Sequence, residues 1–239
     1  MKKLIKGFIS IILIVCMLFT TSIEILAESK VTLSNVKLSK TEAKKFKSII
    51  NKQSKLEVVT PESGITLENI NDLSDKYTIY DQFFICKLGD TNALVLYSSD
   101  ISYILNATFG TYIKIYYIDN GKLKSKVIEE TRLSIDGYSD KYNSLNCSWA
   151  NGSHGNLQVT IKNGQVKFLN ALVEEGYDDI YYFHIDKMAD SNYNDYRSSK
   201  KNKISEVKFS KLYNKYYKKT KEITYYKSSK KNANKIIAN

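Results

Sequence analysis

Two histidines, His154 and His184, are all the imidazole this 239-residue chain has to offer. His154 falls in the turn-like run Asn151-Gly152-Ser153-His154-Gly155-Asn156, and His184 in the strand-like run Tyr181-Tyr182-Phe183-His184-Ile185. A zinc site takes three or four Cys, His or acidic ligands at recognisable spacing, and no such spacing occurs. Neither a nucleophile elbow nor a Cys-His signature is present. A Ser-His-Asp triad stays open, because its members need not be neighbours in sequence. The pairs Glu129-Glu130, Glu174-Glu175 and Asp178-Asp179 would point to opposite faces of a strand, so none is an acid/base couple alone. Residues 174–179 read as a solvated acidic loop in preference to a calcium loop. No catalytic residue, metal site or cofactor is expected.

Thiol chemistry reduces to one pair outside the N-terminal leader, Cys86 and Cys147. In an oxidising compartment an even pair suggests a disulfide. Two buried thiols in strands are the alternative, and both readings stay open.

Lysine and tyrosine give the most distinctive pattern. Residues 200–239 hold thirteen lysines against Glu206 and Glu222, net +11, whereas residues 28–199 hold 20 basic and 22 acidic groups, net −2. Tyr213, Tyr216, Tyr217, Tyr225 and Tyr226 are interleaved with these lysines. Such a field can hold polyanions by charge attraction and aromatic contact; equally, the aromatics can cap a sheet while the lysines face water. Only Arg132 and Arg197 are arginine among 36 basic residues. Arginine supplies the bidentate base-edge contacts, so sequence-specific nucleic-acid recognition is not expected.

These groups must be positioned by whatever follows the leader. Lys2, Lys3 and Lys6, the apolar run Phe8–Phe19 and then Ile25-Leu26-Ala27 follow the order of an export signal cleaved after Ala27. An uncleaved anchor and a lipid-modified Cys16 are the weaker alternatives; the run is short of the roughly 20 residues of a bilayer span, and Val15 is bulky for a lipoprotein site. After cleavage no transmembrane segment is expected.

Ser39-Lys40-Thr41-Glu42 matches a capping box, and Ala43, Phe46, Ile49 and Ile50 fall at helical spacing, which predicts a helix over 41–52. A strand over 55–60 ends at Pro61. Density in Ile, Val, Tyr, Phe and Thr predicts strands at 77–88, 92–98, 101–108, 111–118, 122–133, 144–150, 156–162, 165–173 and 179–185. Asn120-Gly121 and Asn163-Gly164 predict tight hairpins, since both central residues can take φ > 0. Counting outward from Asn163-Gly164 pairs Ile161 with Val166, Val159 with Phe168 and Leu157 with Asn170 on an apolar face. Lys162 with Gln165, Thr160 with Lys167 and Gln158 with Leu169 fall on a mostly polar one. Around Asn120-Gly121, Ile118 meets Leu123 and Ile115 meets Lys126. Residues 186–203 read as a polar linker, 206–219 as a helix capped by Ser205 with Phe209, Leu212, Tyr213, Tyr216 and Tyr217 on one face, 223–226 as a last strand, and 228–239 as a disordered tail.

The runs Asn92-Ala93-Leu94-Val95-Leu96-Tyr97 and Tyr112-Ile113-Lys114-Ile115-Tyr116-Tyr117-Ile118-Asp119-Asn120-Gly121-Lys122, with the closing Ile204-Ser205-Glu206-Val207-Lys208-Phe209-Ser210-Lys211-Leu212-Tyr213, resemble a loose group of secreted proteins and lipoproteins from low-GC Gram-positive bacteria. That group has an Asp/Gly-rich loop where this chain has Lys87-Leu88-Gly89-Asp90. The resemblance implies a β-rich, secreted protein and no mechanism.

The fold expected is α+β: an antiparallel meander over 77–185, part-propeller-like as a variant, preceded by a 28–76 helix/strand segment and closed by a 204–227 basic helix and strand, the helix packed on the sheet. The function expected is an extracellular or envelope-associated, non-catalytic protein that binds an anionic cell-wall polymer or lipid surface through Lys211, Lys215, Lys218, Lys219 and Lys227. The alternative is an extracellular hydrolase with a cryptic active site. Sequence alone leaves the oligomeric state undefined.

Overall fold

Ser39 opens the first helix as the capping box requires. Its Oγ accepts the Glu42 N–H at 3.2 Å while Glu42 Oε2 accepts the Ser39 N–H at 2.7 Å, so two amides left free at a helix start find partners. The helix, α1, spans Lys40–Gln53 and buries Ala43, Phe46 and Ile50 along one side. A computed structural model describes residues 30–59, 76–98, 110–131, 133–150, 153–176, 179–188 and 202–238. The leader, Ala27 and the expected strand 101–108 lie outside them. Before α1 come β1 (Lys30–Val31) and a 3-10 turn at Leu33–Asn35. After it, β2 (Glu57–Val58) pairs in parallel with β3 (Tyr77–Thr78).

From there the chain draws two meanders. The first runs β4 (Gln82–Leu88), β5 (Thr91–Tyr97), β6 (Gly110–Asp119) and β7 (Lys122–Thr131); the second runs β8 (Ser134–Ser139), β9 (Ser144–Ala150), β10 (Ser153–Lys162), β11 (Gln165–Glu175) and β12 (Tyr181–Met188). A short β13 (Lys203–Ile204) extends the second meander, followed by helix α2 (Glu206–Tyr216), β14 (Glu222–Ile223), β15 (Tyr226–Lys227) and helix α3 (Lys230–Ala233). The resulting sheets are antiparallel, ordered β13-β12-β11-β10-β9-β8 and β15-β4-β5-β6-β7.

The two sheets stack face to face. Phe84, Cys86, Leu88, Val95, Ile113 and Ile115 of one meet Leu145, Cys147, Trp149, Leu157, Val159 and Phe168 of the other in a single core. Polar ties join the layers: Gly89 N–H donates to Asn143 O at 2.7 Å and Tyr117 Oη to Gly164 O at 3.1 Å. Gly89 is required at its turn twice over, since its φ is +60° and a Cβ there would sit 2.0 Å from Ile161 O.

The molecule is therefore mostly β, a two-sheet sandwich flanked by helices. The α+β label overstates the helices, and the stacked sheets are not radial blades, so the propeller variant is not supported. Strands β4 to β6 are covered on both faces, which is why one sheet alone could not satisfy them. The expected strand 77–88 is broken into β3 and β4, and of the expected strand 55–60 only Glu57–Val58 is strand among the described residues, residue 60 lying outside them. Strand β8 was not expected: Ser134-Ile135-Asp136-Gly137-Tyr138-Ser139 has turn composition, yet Gly137 (φ +153°) takes up a bulge against β9 and keeps the strand paired. Both hairpin registers are as counted, except that Leu157 and Asn170 fall at a bulge. The expected linker 186–203 loses its start to β12 and its end to β13.

The largest correction is at the C-terminus. Residues 228–238 are ordered: Ser229 caps α3, and Ala233 and Ile236 are buried against α1. The chain from 206 to 238 forms a belt, with α2 on the outer face of the six-stranded sheet and α3 on the outer face of the five-stranded one. Between them, Lys221 exchanges both backbone hydrogen bonds with Tyr138 at the β8 edge, and β15 pairs with β4.

Candidate functional site

Helix α2 begins with Ser205 Oγ accepting the Lys208 N–H at 3.3 Å. Its inner side carries rings: Phe209 packs on Tyr182 with centroids 4.9 Å apart, and Tyr216 on Tyr142 at 5.4 Å. Beneath its last turn the sheet is polar. Ser144, Asn146, Gln158 and Thr160 are buried on β9 and β10. Gln158 Nε2 donates to Ser144 Oγ and Asn146 Oδ1, both at 3.2 Å, and Asn170 Nδ2 donates to Gln158 Oε1 at 2.9 Å. Asn146 Nδ2 donates to Tyr216 O at 3.0 Å. That carbonyl closes the helix and has no intrahelical donor, so the sheet supplies one. Tyr217 Oη donates to the Asn170 carbonyl, and burial pushes the Tyr217 phenol well above its ordinary range. The helix end is clamped by directional bonds.

The clamp fixes what α2 shows to water. Lys208, Lys211, Lys215, Lys218 and Lys219 are exposed, and the spacing 208, 211, 215 puts the helical three on one stripe. The two that follow the helix end are favourably placed against its negative pole. Among the described residues none of the five is ion-paired; the lysine bridges present are Lys30–Glu222, Lys124–Asp119 and Lys221–Asp140. Lys215 Nζ lies 4.7 Å from the Tyr216 ring centre. Lys211, Lys215, Lys218 and Lys219 thus form one field, to which the structure adds Lys208. Lys227 does not belong to it. It lies on β15, opposite Gln82, at the edge of the other sheet.

A second basic surface was not singled out by composition. Lys40, Lys44, Lys45, Lys47 and Lys52 of α1 are joined by Lys230, Lys231 and Lys235 of the packed C-terminus, with Glu42 the sole acid in α1 and in residues 230–238. Glu42 is occupied by the Ser39 amide and Asn92 Nδ2. A groove of about 480 Å³ runs along Lys40, Thr41, Lys44, Lys45 and Ser48. The signal was present in Lys44-Lys45-Phe46-Lys47, but a neutral sum over 28–199 concealed it.

The end of the sandwich beside β1 holds a cavity of about 770 Å³. Its cations and anions are mixed: Lys37 and Lys87 face it with Asp90, while Lys30 and Lys221 are already paired. Tyr138 Oη donates to Lys87 O at 2.7 Å and to Asn143 Oδ1 at 3.0 Å. Among the described residues its lining contains no His, Cys or Ser.

The remaining candidates are dispersed. His154 is exposed on β10. His184 Nε2 stands 3.3 Å from Asp186 Oδ1 without meeting hydrogen-bond geometry, under Tyr216. Burial chiefly lowers its pKa below the usual 6.5; Lys208 and Lys215 add to this and Asp186 opposes it. Cys86 and Cys147 are free thiols, both buried in the inter-sheet core. Desolvation pushes both thiols far up, which suppresses thiolate chemistry. Of the acidic pairs, Glu174-Glu175 closes β11 and Asp179 is exposed; the side chains of Glu129 and Glu130, and Asp178, lie outside the described residues. Among the described residues no three His, Cys, Asp or Glu converge as a metal site would need, and no helix is long and apolar enough to cross a membrane.

Comparison with family models, with curated proteins and with solved structures finds no match to this chain.

Proposed function

We propose that the protein is an extracellular or envelope-associated binding protein, non-catalytic, that holds anionic polymer through the lysine stripe of α2. One observation carries this reading: three lysines on α2 and two just past its end have no carboxylate partner among the described residues, and the end of that helix is fixed to the sheet by buried amides. Ammoniums carried on a fixed helix end, with no ion pair among the described residues, attract a repeating anion without first breaking a salt bridge, and the attraction is screened over about 8 Å at physiological salt. Secretion follows from the leader read at residues 1–27, and a wall polymer or anionic surface is what such a protein would meet. The hydrolase alternative has little to rest on, since neither histidine lines one of the cavities described above.

The test is co-sedimentation of the mature chain with purified Gram-positive cell walls at low and high salt. Retention should fall steeply between about 50 mM and 500 mM salt, and Lys211→Gln/Lys215→Gln/Lys218→Gln/Lys219→Gln should weaken it at low salt. Retention indifferent to both salt and these substitutions would remove the reading.

A further inference from the structure

We propose that the chain is a bridging protein: the α2 stripe and the α1/α3 lysine surface bind two separate anionic polymer chains at once. The proposal rests on the binding reading above and adds a second site of the same chemistry, facing the other way.

The geometry follows from the layer order. Helix α2 covers the outer face of the six-stranded sheet, and α1 with α3 covers the outer face of the five-stranded sheet, while the inner faces are pressed together. Two sheets stack about 10 Å apart, and a helix with its side chains adds about 10 Å on each side. The two basic surfaces are therefore on the order of 30 Å apart, several times the roughly 8 Å screening length. Neither surface feels a ligand on the other. Because they point in opposite directions, one flat or extended polyanion cannot reach both.

Each surface is suited to a repeating anion in its own right. Within α1 and residues 230–238 eight lysines stand against Glu42 alone, and that carboxylate is taken up by the Ser39 amide and Asn92. Its groove of about 480 Å³ is lined by Lys40, Lys44, Lys45, Thr41 and Ser48, side chains whose ammonium and hydroxyl groups donate to phosphate or carboxylate oxygens, although Lys45 Nζ also donates to Gly121 O at 2.9 Å. The C-terminal belt contributes to both surfaces, which accounts for a net +11 segment being split between opposite sides of the molecule. Two independent sites on one rigid body give cross-linking by valency, with no new contact between protein molecules.

The experiment uses the mature full-length chain and beads coated with long-chain inorganic polyphosphate, reading bound protein by depletion and bead clustering by light scattering. Expected is clustering that rises and then falls with protein concentration, as excess protein saturates each bead singly. Lys44→Gln/Lys52→Gln/Lys230→Gln/Lys231→Gln should lose clustering while still binding through α2. The four α2 substitutions named above should lose clustering while still binding through α1/α3. Thermal melts unchanged from the parent confirm that all three proteins are folded. Full binding with dispersed beads at every ratio overturns bridging and leaves the α2 reading standing. So does a one-surface variant that clusters as the parent does, because self-association would then be the cause. No binding at about 50 mM salt removes both.

Discussion

On the outer face of the five-stranded sheet, Phe83, Ile85, Leu94 and Leu96 meet Phe46 and Ile50 of α1 and Ala233 and Ile236 beyond. On the outer face of the six-stranded sheet, Ser144, Asn146, Gln158 and Asn170 meet the last turn of α2, a helix with no fully buried residue of its own. One roof is held by apolar burial, which is strong and indifferent to direction. The other adds to the ring contacts of Phe209 and Tyr216 a set of amide hydrogen bonds, whose net contribution is smaller but whose geometry admits one arrangement. The apolar roof carries stability, and the polar roof carries position. Under the proposed binding reading, that division suits a stripe of lysines whose placement matters more than the energy of the helix beneath it.

The largest expected effect lies under the apolar roof. Phe46 is fully buried, and Phe46→Ala should lower unfolding free energy by about 3–5 kcal/mol, read by chemical denaturation. Under the polar roof, Gln158→Ala should cost less, about 1–3 kcal/mol, because it strands the Asn146 and Asn170 amides. It should also raise hydrogen exchange in α2 more than in α1. Gln158→Leu should not recover the loss, since those amides still lack partners. Full recovery by Leu would mean that the amides contribute nothing beyond filled volume at the end of α2, and the contrast would collapse.

How much of this contrast could be read in the chain depends on the range of the signal. The β10–β11 pairing was legible residue by residue, because Asn163-Gly164 pins the register and the alternation labels the faces. The polar face counted there, with Gln158 and Thr160, is the floor of the second roof. Helix α1 was legible from its capping box, and the turn chemistry at Asn120-Gly121 also held. The stacking was not, although Phe83-Phe84-Ile85-Cys86 and Ala93-Leu94-Val95-Leu96 are unbroken apolar runs. Such runs say that both faces are covered, but not by what. The C-terminal belt was illegible for a different reason. Ala233 and Ile236 are two apolar residues among lysines and asparagines, and their burial is decided by α1, nearly two hundred positions away. The second basic surface depends on that docking and was hidden with it.

The smallest effect separates the roofs by pH. His184 lies under Tyr216, faced by Asp186 on its own strand and by Lys208 and Lys215 on α2. Desolvation and those ammoniums hold its pKa below the 6.5 of the unfolded chain. Between the two values the unfolded state binds the extra proton, so stability rises with pH there and is lost as pH falls below about 6.5. The proton enters at the polar roof, where it must leave the histidine or loosen α2. No histidine occurs in α1, α3 or the five-stranded sheet. Denaturation at about pH 7.5 and about pH 5 should therefore show an acid-side loss that His184→Gln reduces. Hydrogen exchange, corrected for its intrinsic pH dependence, should place that loss in α2 and leave α1 protected. An identical acid-side loss in the parent and in His184→Gln would exclude this imidazole as the group responsible.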